Sequence, residues 1–505
     1  MTVATPNMVW STAVLLVLFM GTLLYFVVAG ARKTQNMADY ALGSVAFSPV
    51  AVGLALAASM TSAATFIINP GLIAYFGMAG VIAYAVVLPL SAMVSLIVLT
   101  KRFRTQGNTT KALTMAQWMG TRFNSKVLER FFAFLSLLLI TFIILIAVGL
   151  TQVLSKSLNA DPLYVLVGLV IFVFGYMMFG GANSMVYTNT IQAVLMLVVA
   201  VILLGSGYEH FSQGVHGFLE KLKAIKPSLV STTVPDSPLF RDYFEIIFCQ
   251  AVIGVAIILQ PHIITKSLLL KRNSQVNKYL ITGVVVELLF FSVVVVGLYA
   301  RLQFPDLTVN GEMLPPDAVV STYVVQEFPV YLGLVVVLGL LAAGMSTLEG
   351  LIQSLSTTIT ADLILPLSGR KPATTLAELK KQVALNRWVI VALAGITIAM
   401  SYRQILEPDL SVAILAQNGV YAYFAAAFVP VGIGLFFKNF KAQAAIAGSL
   451  TAVLVHFSIY YFRLGAYMQT EVRNPAVPAT IAILASVAVA LILQSLLKNR
   501  AHANG

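Results

Sequence analysis

Apolar residues fall along most of this chain in runs of roughly 20 or more, the length a helix needs to cross the hydrocarbon core of a bilayer. The pattern predicts about thirteen membrane spans, at about 8–30, 46–74, 77–100, 128–156, 162–180, 183–206, 241–267, 276–303, 328–360, 386–402, 408–436, 441–462 and 474–497. The first run has no basic segment before it and no small-residue cleavage site at the right distance after it, so it reads as a retained helix. No soluble domain is expected beyond the spans, and the fold class that follows is an all-α polytopic membrane protein.

Composition agrees: of 505 residues, 59% are hydrophobic and only 10% charged, with a mean hydropathy of +0.91. A soluble chain of this length covers its cores with about a quarter charged residues. The net charge of +12 does not point to nucleic acid, because Lys and Arg sit in short loops between apolar runs and meet the headgroups of the lipid bilayer. One set of alternate loops holds Arg32, Lys33, Lys101, Arg102, Arg104, Lys111, Lys266, Lys271, Arg272, Arg370, Lys371, Lys380, Lys381, Lys438 and Lys498, among others. The opposite set is much poorer in them, so the positive-inside bias puts the N-terminus outside and the C-terminus in the cytoplasm of an inner (plasma) membrane protein. The single cysteine, Cys249, excludes an intramolecular disulfide and any cysteine cluster for a metal, and its apolar setting reads as packing.

The second to sixth spans recur as the seventh to eleventh at a displacement of roughly 195–225 residues, and an odd number of helices per unit inverts the second copy. This divides the chain into an extra N-terminal helix (1–35), repeat one (46–206), repeat two (241–436) and two C-terminal helices (441–497). Such repeats place a binding site between them near the bilayer midplane. The leading span of each repeat carries an interruption, expected at Asn69-Pro70-Gly71 in the first and at Gln260-Pro261-His262 in the second. Proline removes an N–H and glycine loosens the helix, so each reads either as a simple kink or as unwound backbone lining a wet site.

Four stretches, in order and within the right number of spans, carry a family resemblance: Ala58-Ser59-Met60-Thr61-Ser62 leading to Pro70-Gly71; Gly180-Gly181 followed by Tyr187-Thr188-Asn189-Thr190-Ile191-Gln192; Gln260-Pro261-His262-Ile263-Ile264-Thr265-Lys266; and Ala343-Gly344-Met345-Ser346-Thr347. From about Asp39 to Phe436 the chain resembles the solute:sodium symporters, nearest to those for proline and pantothenate. The resemblance implies a LeuT-like 5+5 inverted repeat with two broken helices. It also implies a coupling Na+ held by the backbone carbonyls of Ala58, Thr61 and Ala343 and the hydroxyls of Ser346 and Thr347. A hard cation needs such a cluster of oxygens, and a neutral cage binds weakly enough to release its ion. The alternative is that Ser346 and Thr347 bond back to their own helix.

The departures from the family pattern are informative. Asn189 stands where relatives often have an aspartate, and Glu349 where they often have a small hydroxyl residue. The carboxylate has in effect moved between helices, so that Glu349, with Asn189, holds a second cation or a proton, or else forms a structural bond to an inner-loop base. Glu287, mid-span, should face the bundle interior, because a charge there costs roughly 2.5–3.5 kcal/mol. Glu245 reads as interfacial. Candidate substrate contacts are Ser59, Ser62, Thr65, Gln250, Gln260, His262, Glu287, Gln417, Asn418 and Tyr421, mid-span polar groups that either meet a ligand or bond between helices. No histidine or cysteine stands at metal-ligand spacing, so no metal beyond sodium is expected, and His456 lies outside the repeats.

The function expected is sodium-coupled import of a small polar organic solute, an amino acid or organic acid, by alternating access in a chain acting as a monomer. Rival readings are a proton-coupled carrier using Glu349 or Glu287, and a transporter-like membrane sensor, against which the short tail after Lys498 counts. There is no arginine ladder or filter loop for a channel, and no nucleophile–base set or phosphate loop for an enzyme. The amphipathic stretch from Thr114 to Phe123 is expected along the cytoplasmic interface, with Trp118 and Phe123 among the headgroups.

Overall fold

A computed structural model of the protein describes residues 5–110, 112–309, 311–368, 375–407, 412–437 and 439–503. Lys111, Arg370, Lys371 and Lys438, counted above in the loop charge, and the first residues (408–411) of the eleventh expected span lie outside the described residues.

Among the described residues ten helices are long and apolar enough to cross a membrane, and two bent pairs, Pro49–Met60 with Ala64–Phe76 and Phe244–Ile257 with Pro261–Leu269, bring the number to 12. The longest helix, Pro162–Gly205, has 44 residues. At 1.5 Å per residue it would run ~66 Å, about twice the hydrocarbon thickness. It is not continuous: Gly181 has φ 61° and ψ −162°, and a Cβ there would lie 2.7 Å from the Tyr40 ring, so only glycine fits both the backbone and the space. Divided at Gly181, it forms the fifth and sixth spans, and the expected order of about thirteen is recovered. Among the described residues the only strands are the two-residue pair Thr308–Val309 and Glu312–Met313.

The sequence order of a broken span followed by four others occurs twice. The second span leads one set, and the seventh, Phe244–Leu269, leads the other. Burial shows which spans are central: 83% of the apolar window of Val412–Ile433 (eleventh) and 72% of that of Val330–Leu367 (ninth) are buried, against 17% for Pro6–Ala31 (first). The ninth span touches the second, the fourth (Lys126–Leu158) and the sixth, while the twelfth (Ala442–Tyr461) and thirteenth (Ala476–Asn499) pack on each other and on the eleventh.

The break in the seventh span falls where expected, with Gln260 extended (φ −66°, ψ 134°) and Pro261 opening the next turn. The break in the second does not. It lies at Thr61 and Ser62, with Thr61 extended at φ −92°, ψ 116°, whereas Asn69-Pro70-Gly71 is helical. A π-helical turn over Ala64–Ile68, closed by Asn69 N–H to Ala64 O, precedes Pro70 and sets it in the opening turn of Asn69–Phe76, where a missing N–H costs little. The glycine serves close packing instead: a Cβ on Gly71 would lie 1.9 Å from Pro316 O.

Three further expectations change. Trp118 is buried in protein, stacked on Phe103 at 4.9 Å, and Phe123 is buried too, so neither sits among headgroups. Their helix, Met115–Phe123, is pinned to the bundle by Thr114 Oγ1 and Gln117 Nε2, which donate to Asp362 at 2.5 and 2.6 Å. Glu245 is fully buried rather than interfacial, paired with Arg241 at 2.9 Å and accepting from Asn474 at 3.1 Å. Lys266, counted as a loop cation, is buried in the second half of the seventh span.

Candidate functional site

The break at Thr61 and Ser62 removes the N–H groups that would close the end of Pro49–Met60, since the Thr65 N–H turns to Ser62 O. The carbonyls freed there face the middle of the ninth span. Ser346 Oγ donates to Ala58 O at 2.6 Å and lies 3.1 Å from Ala343 O. Thr347 Oγ1 lies 3.1 Å from Thr61 O and 3.3 Å from both Ser59 O and Ala343 O. All five residues named for sodium, Ala58, Thr61, Ala343, Ser346 and Thr347, therefore meet at one point between the two sets of spans, fully buried. The cluster is rich in oxygen and poor in protons, because two hydroxyl hydrogens face four carbonyls. A cation satisfies such a surplus of lone pairs better than hydrogen bonds can.

Glu287 is buried on the eighth span (Asn273–Gln303) and accepts from Thr61 Oγ1 at 2.8 Å, so it holds the hydroxyl of the residue whose carbonyl meets Thr347. Its other oxygen has no partner. It does not line the cavity described below, where it was expected to meet substrate.

Glu349, one turn past Ser346, is fully buried and saturated with donors. Its Oε1 accepts from Tyr176 Oη at 2.6 Å and Gln192 Nε2 at 3.0 Å, and its Oε2 from Thr188 Oγ1 at 2.5 Å. Asn189 is beside it. In the amide orientation that satisfies its neighbours, Asn189 donates to Glu349 Oε2 and to Gln192 Oε1, both at 3.0 Å, and accepts from Lys266 Nζ at 3.1 Å and Ser59 Oγ at 3.0 Å. Tyr176 was not singled out from the sequence, and Thr188, Gln192 and Lys266 were named only within the stretches that carry the resemblance, with no site role. Gln192 lies three residues past Asn189 and four past Thr188, the spacings that share a helix face, a signal that could have joined them.

A cavity of about 70 Å³ lies between the two broken spans and the fourth and eleventh. Of the candidate substrate contacts, Ser62, Thr65, Gln260, Gln417 and Tyr421 line it, joined by Asn69, Tyr84, Met60, Phe142 and Phe291. Asn69 Oδ1 and Gln260 Oε1 are buried there without a hydrogen-bond partner. The remaining candidates are elsewhere. Ser59 belongs to the Asn189 network. Gln250 is buried outside the cavity. His262 abuts Gly350 of the ninth span, where an added Cβ would meet its own Cβ at 3.3 Å. Asn418 turns outward to His456 Nε2 at 3.0 Å and Tyr461 Oη at 3.3 Å, because the twelfth span covers that face of the eleventh. Among the described residues no group of three His, Cys, Asp or Glu could hold a metal ion.

The model of the sodium:solute symporter family matches residues 40–452. The sodium/pantothenate symporter of Escherichia coli K12 is 28% identical over 437 residues, covering 84% of this chain and 85% of that one. A sodium/proline symporter of Staphylococcus aureus is 24% identical over 458 residues, covering 88% and 85%. A solved Na+-coupled sialic acid symporter shares the fold, with a TM-score of 0.77 at 16% identity over 96% of this chain and 97% of that one. Multiple apolar spans in a family of carriers place the protein in the plasma membrane as a multi-pass transporter, not an enzyme, with Na+ as its coupling ion. The chain belongs to the sodium:solute symporter family and carries out sodium-coupled symport of a small solute.

Proposed function

We propose that the chain imports a small amino or hydroxy acid in the cavity between the broken spans, driven by a sodium ion held by the carbonyls of Ala58, Thr61 and Ala343 and the hydroxyls of Ser346 and Thr347. The carrying observation is the pair of unpartnered amide oxygens, Asn69 Oδ1 and Gln260 Oε1, in a cavity lined otherwise by hydroxyls, amides and apolar groups. Buried acceptors without donors are costly, and N–H or O–H groups of a solute satisfy them. The cavity has no charged side chain in its lining. A carboxylate there is served by the hydroxyls of Ser62, Thr65, Tyr84 and Tyr421 and by the positive end of the helix that restarts after the break at Ser62. Relatives named for pantothenate and proline both handle carboxylates, in keeping with that chemistry.

In this reading sodium enters from outside, bridges the second and ninth spans and stabilises the outward-open state in which the cavity is formed. Solute binding then permits closure and inward opening. Coupling is reciprocal: whatever factor sodium adds to solute affinity, solute adds to sodium affinity. At about 100 mV each inward positive charge contributes roughly 2.3 kcal/mol, several tens of fold in solute gradient. The N-terminus lies outside, the C-terminus in the cytoplasm, and the monomer is the working unit. The loop charge still supports that orientation with Lys266 removed from the count.

The test is thermal unfolding of purified protein against amino acids, hydroxy acids and sugars, each in sodium and in choline, since a ligand of the native state raises its stability. Stabilisation by amino or hydroxy acids only with sodium is the expected result. Stabilisation by sugars alone, or independent of sodium, defeats the reading.

A further inference from the structure

We propose that Lys266 is a built-in cation that occupies the place of a second transported ion at Glu349, so that the carrier binds one sodium, not two. The inference rests on the sodium cage described above and goes beyond it. Its ground is a charge balance read from geometry. Each oxygen of the Glu349 carboxylate meets an N–H that can only donate, Gln192 Nε2 on Oε1 and the Asn189 amide on Oε2, both at 3.0 Å, and the hydroxyls of Tyr176 and Thr188 complete the set at 2.6 and 2.5 Å. Amide donors on both oxygens favour a carboxylate over a carboxyl, because neither N–H can accept a proton from it. An anion buried at mid-membrane needs a positive charge near it. The protein supplies that charge itself, because the Lys266 ammonium, buried to 2% exposure, lies 3.1 Å from the oxygen of the same Asn189 amide whose nitrogen meets Glu349. Asn189 thus passes the attraction from ammonium to carboxylate through its own dipole.

Two features make this a site for a cation rather than a packing pair. First, the donors around Glu349 come from the fifth and sixth spans while Lys266 comes from the broken seventh, so the positive charge rides on an element of the opposite repeat, as a bridging ion does. Second, the network touches the sodium cage directly. The Ser59 hydroxyl lies 3.0 Å from the Asn189 oxygen, and the Ser59 carbonyl accepts from Thr347 at 3.3 Å. The tethered ammonium and the exchangeable sodium therefore stand on either side of one residue. Mutual repulsion limits the mobile ions to one, whereas removing the ammonium leaves a carboxylate that a second ion can satisfy.

The experiment counts ions. Purified full-length chain is titrated with radioactive sodium to saturation, and bound sodium per chain is measured. Wild type is expected to bind one. Lys266→Ala, checked for monodispersity, is expected to bind two, and Lys266→Ala with Glu349→Gln to return to one. Asn189→Asp, which leaves Lys266 in place and adds a second carboxylate, is expected to bind two and serves should the lysine variant not fold. Two ions in the wild type overturn the proposal, as does a count of one in a monodisperse Lys266→Ala, or in Asn189→Asp where the lysine variant does not fold. No bound sodium in the wild type is a different failure: it removes the sodium cage itself, and the proposal with it.

Discussion

Replacing Thr347 with valine keeps the shape of the side chain and removes one oxygen from the centre of the proposed cage. Its Oγ1 is within 3.3 Å of three carbonyls, those of Thr61, Ser59 and Ala343, and Ser346 is already engaged with Ala58 and Ala343. An unsatisfied buried partner costs about 1–3 kcal/mol, which corresponds to roughly 5- to 150-fold in sodium affinity. The same substitution deprives the carbonyls of a donor when no ion is bound, so part of the cost appears as lower stability in choline. Both quantities come from one assay, the unfolding midpoint as sodium replaces choline at constant ionic strength. Thr151→Val is the control, because that buried hydroxyl bonds its own helix at Ala147 O (2.7 Å) away from the cage, and its sodium response should match wild type. Adding Ser346→Ala to Thr347→Val should cost less than the two losses taken separately, since both hydroxyls share the Ala343 carbonyl. A Thr347→Val protein with wild-type sodium affinity would show that the cluster is ordinary helix packing.

Other outcomes follow from the structure. Gly71→Ala puts a Cβ 1.9 Å from Pro316 O, a backbone atom that cannot yield as a side chain does, so folded protein in size-exclusion chromatography should fall sharply; normal yield would contradict the close approach. Asp362→Ala releases Thr114 and Gln117, and hydrogen exchange across Met115–Phe123 should quicken while the Pro49–Met60 segment stays protected; unchanged exchange would mean the helix is held by its apolar face alone. Outside the membrane, Asp242 accepts the Tyr467 hydroxyl at 2.5 Å and pushes that phenol from 10.0 up to about 12. A raised folded pKa stabilises fully below the unfolded value and is lost as pH climbs through the folded one. Tyr467→Phe should therefore unfold earlier than wild type by a constant margin up to about pH 10, with the two converging toward pH 12; a margin that widens above pH 10 contradicts the bond.

How much was legible in the sequence follows from what each signal depends on. Span length is set by bilayer thickness, and the spans and their repeated order could be read from apolar runs. The place of a helix break is not set by local composition alone. Pro70 and Gly71 looked like the break, yet a π-turn over Ala64–Ile68 absorbs the proline, while the true break at Thr61 and Ser62 has neither proline nor glycine. The convergence of Ala58, Thr61, Ala343, Ser346 and Thr347 was expected from the family resemblance and not from local pattern, since hydroxyls on an apolar helix can equally bond back to it. The cavity was only half legible. Polar residues at mid-span meet either a ligand or a neighbour, and which one depends on the helix packed opposite: Gln417 faces the cavity, while its neighbour Asn418 meets His456 on the twelfth span. Lys266 was misplaced for a similar reason. A lysine six residues past a helix break resembles a loop charge until the short turn it sits on proves to fold back into the bundle.

The geometry of the second span gives the proposed ion and solute sites a reason to need each other. Thr61 supplies a carbonyl to the cage, and Met60, Ser62 and Thr65, within four residues of it, line the cavity. The extended conformation of Thr61 sets the angle between the two halves of the span, 56°, and so sets where Ser62 and Thr65 point. That residue is held twice: its carbonyl by Thr347 of the ninth span, its hydroxyl by Glu287 of the eighth. On the proposed sites, an ion that draws the Thr61 carbonyl toward Ser346 and Thr347 fixes the break, and with it the proposed solute contacts. A solute that orders Ser62 and Thr65 fixes the same backbone and leaves less ordering for the ion to impose. Both ligands bias one hinge, which is the physical content a coupling free energy requires, and no longer path through the bundle is needed.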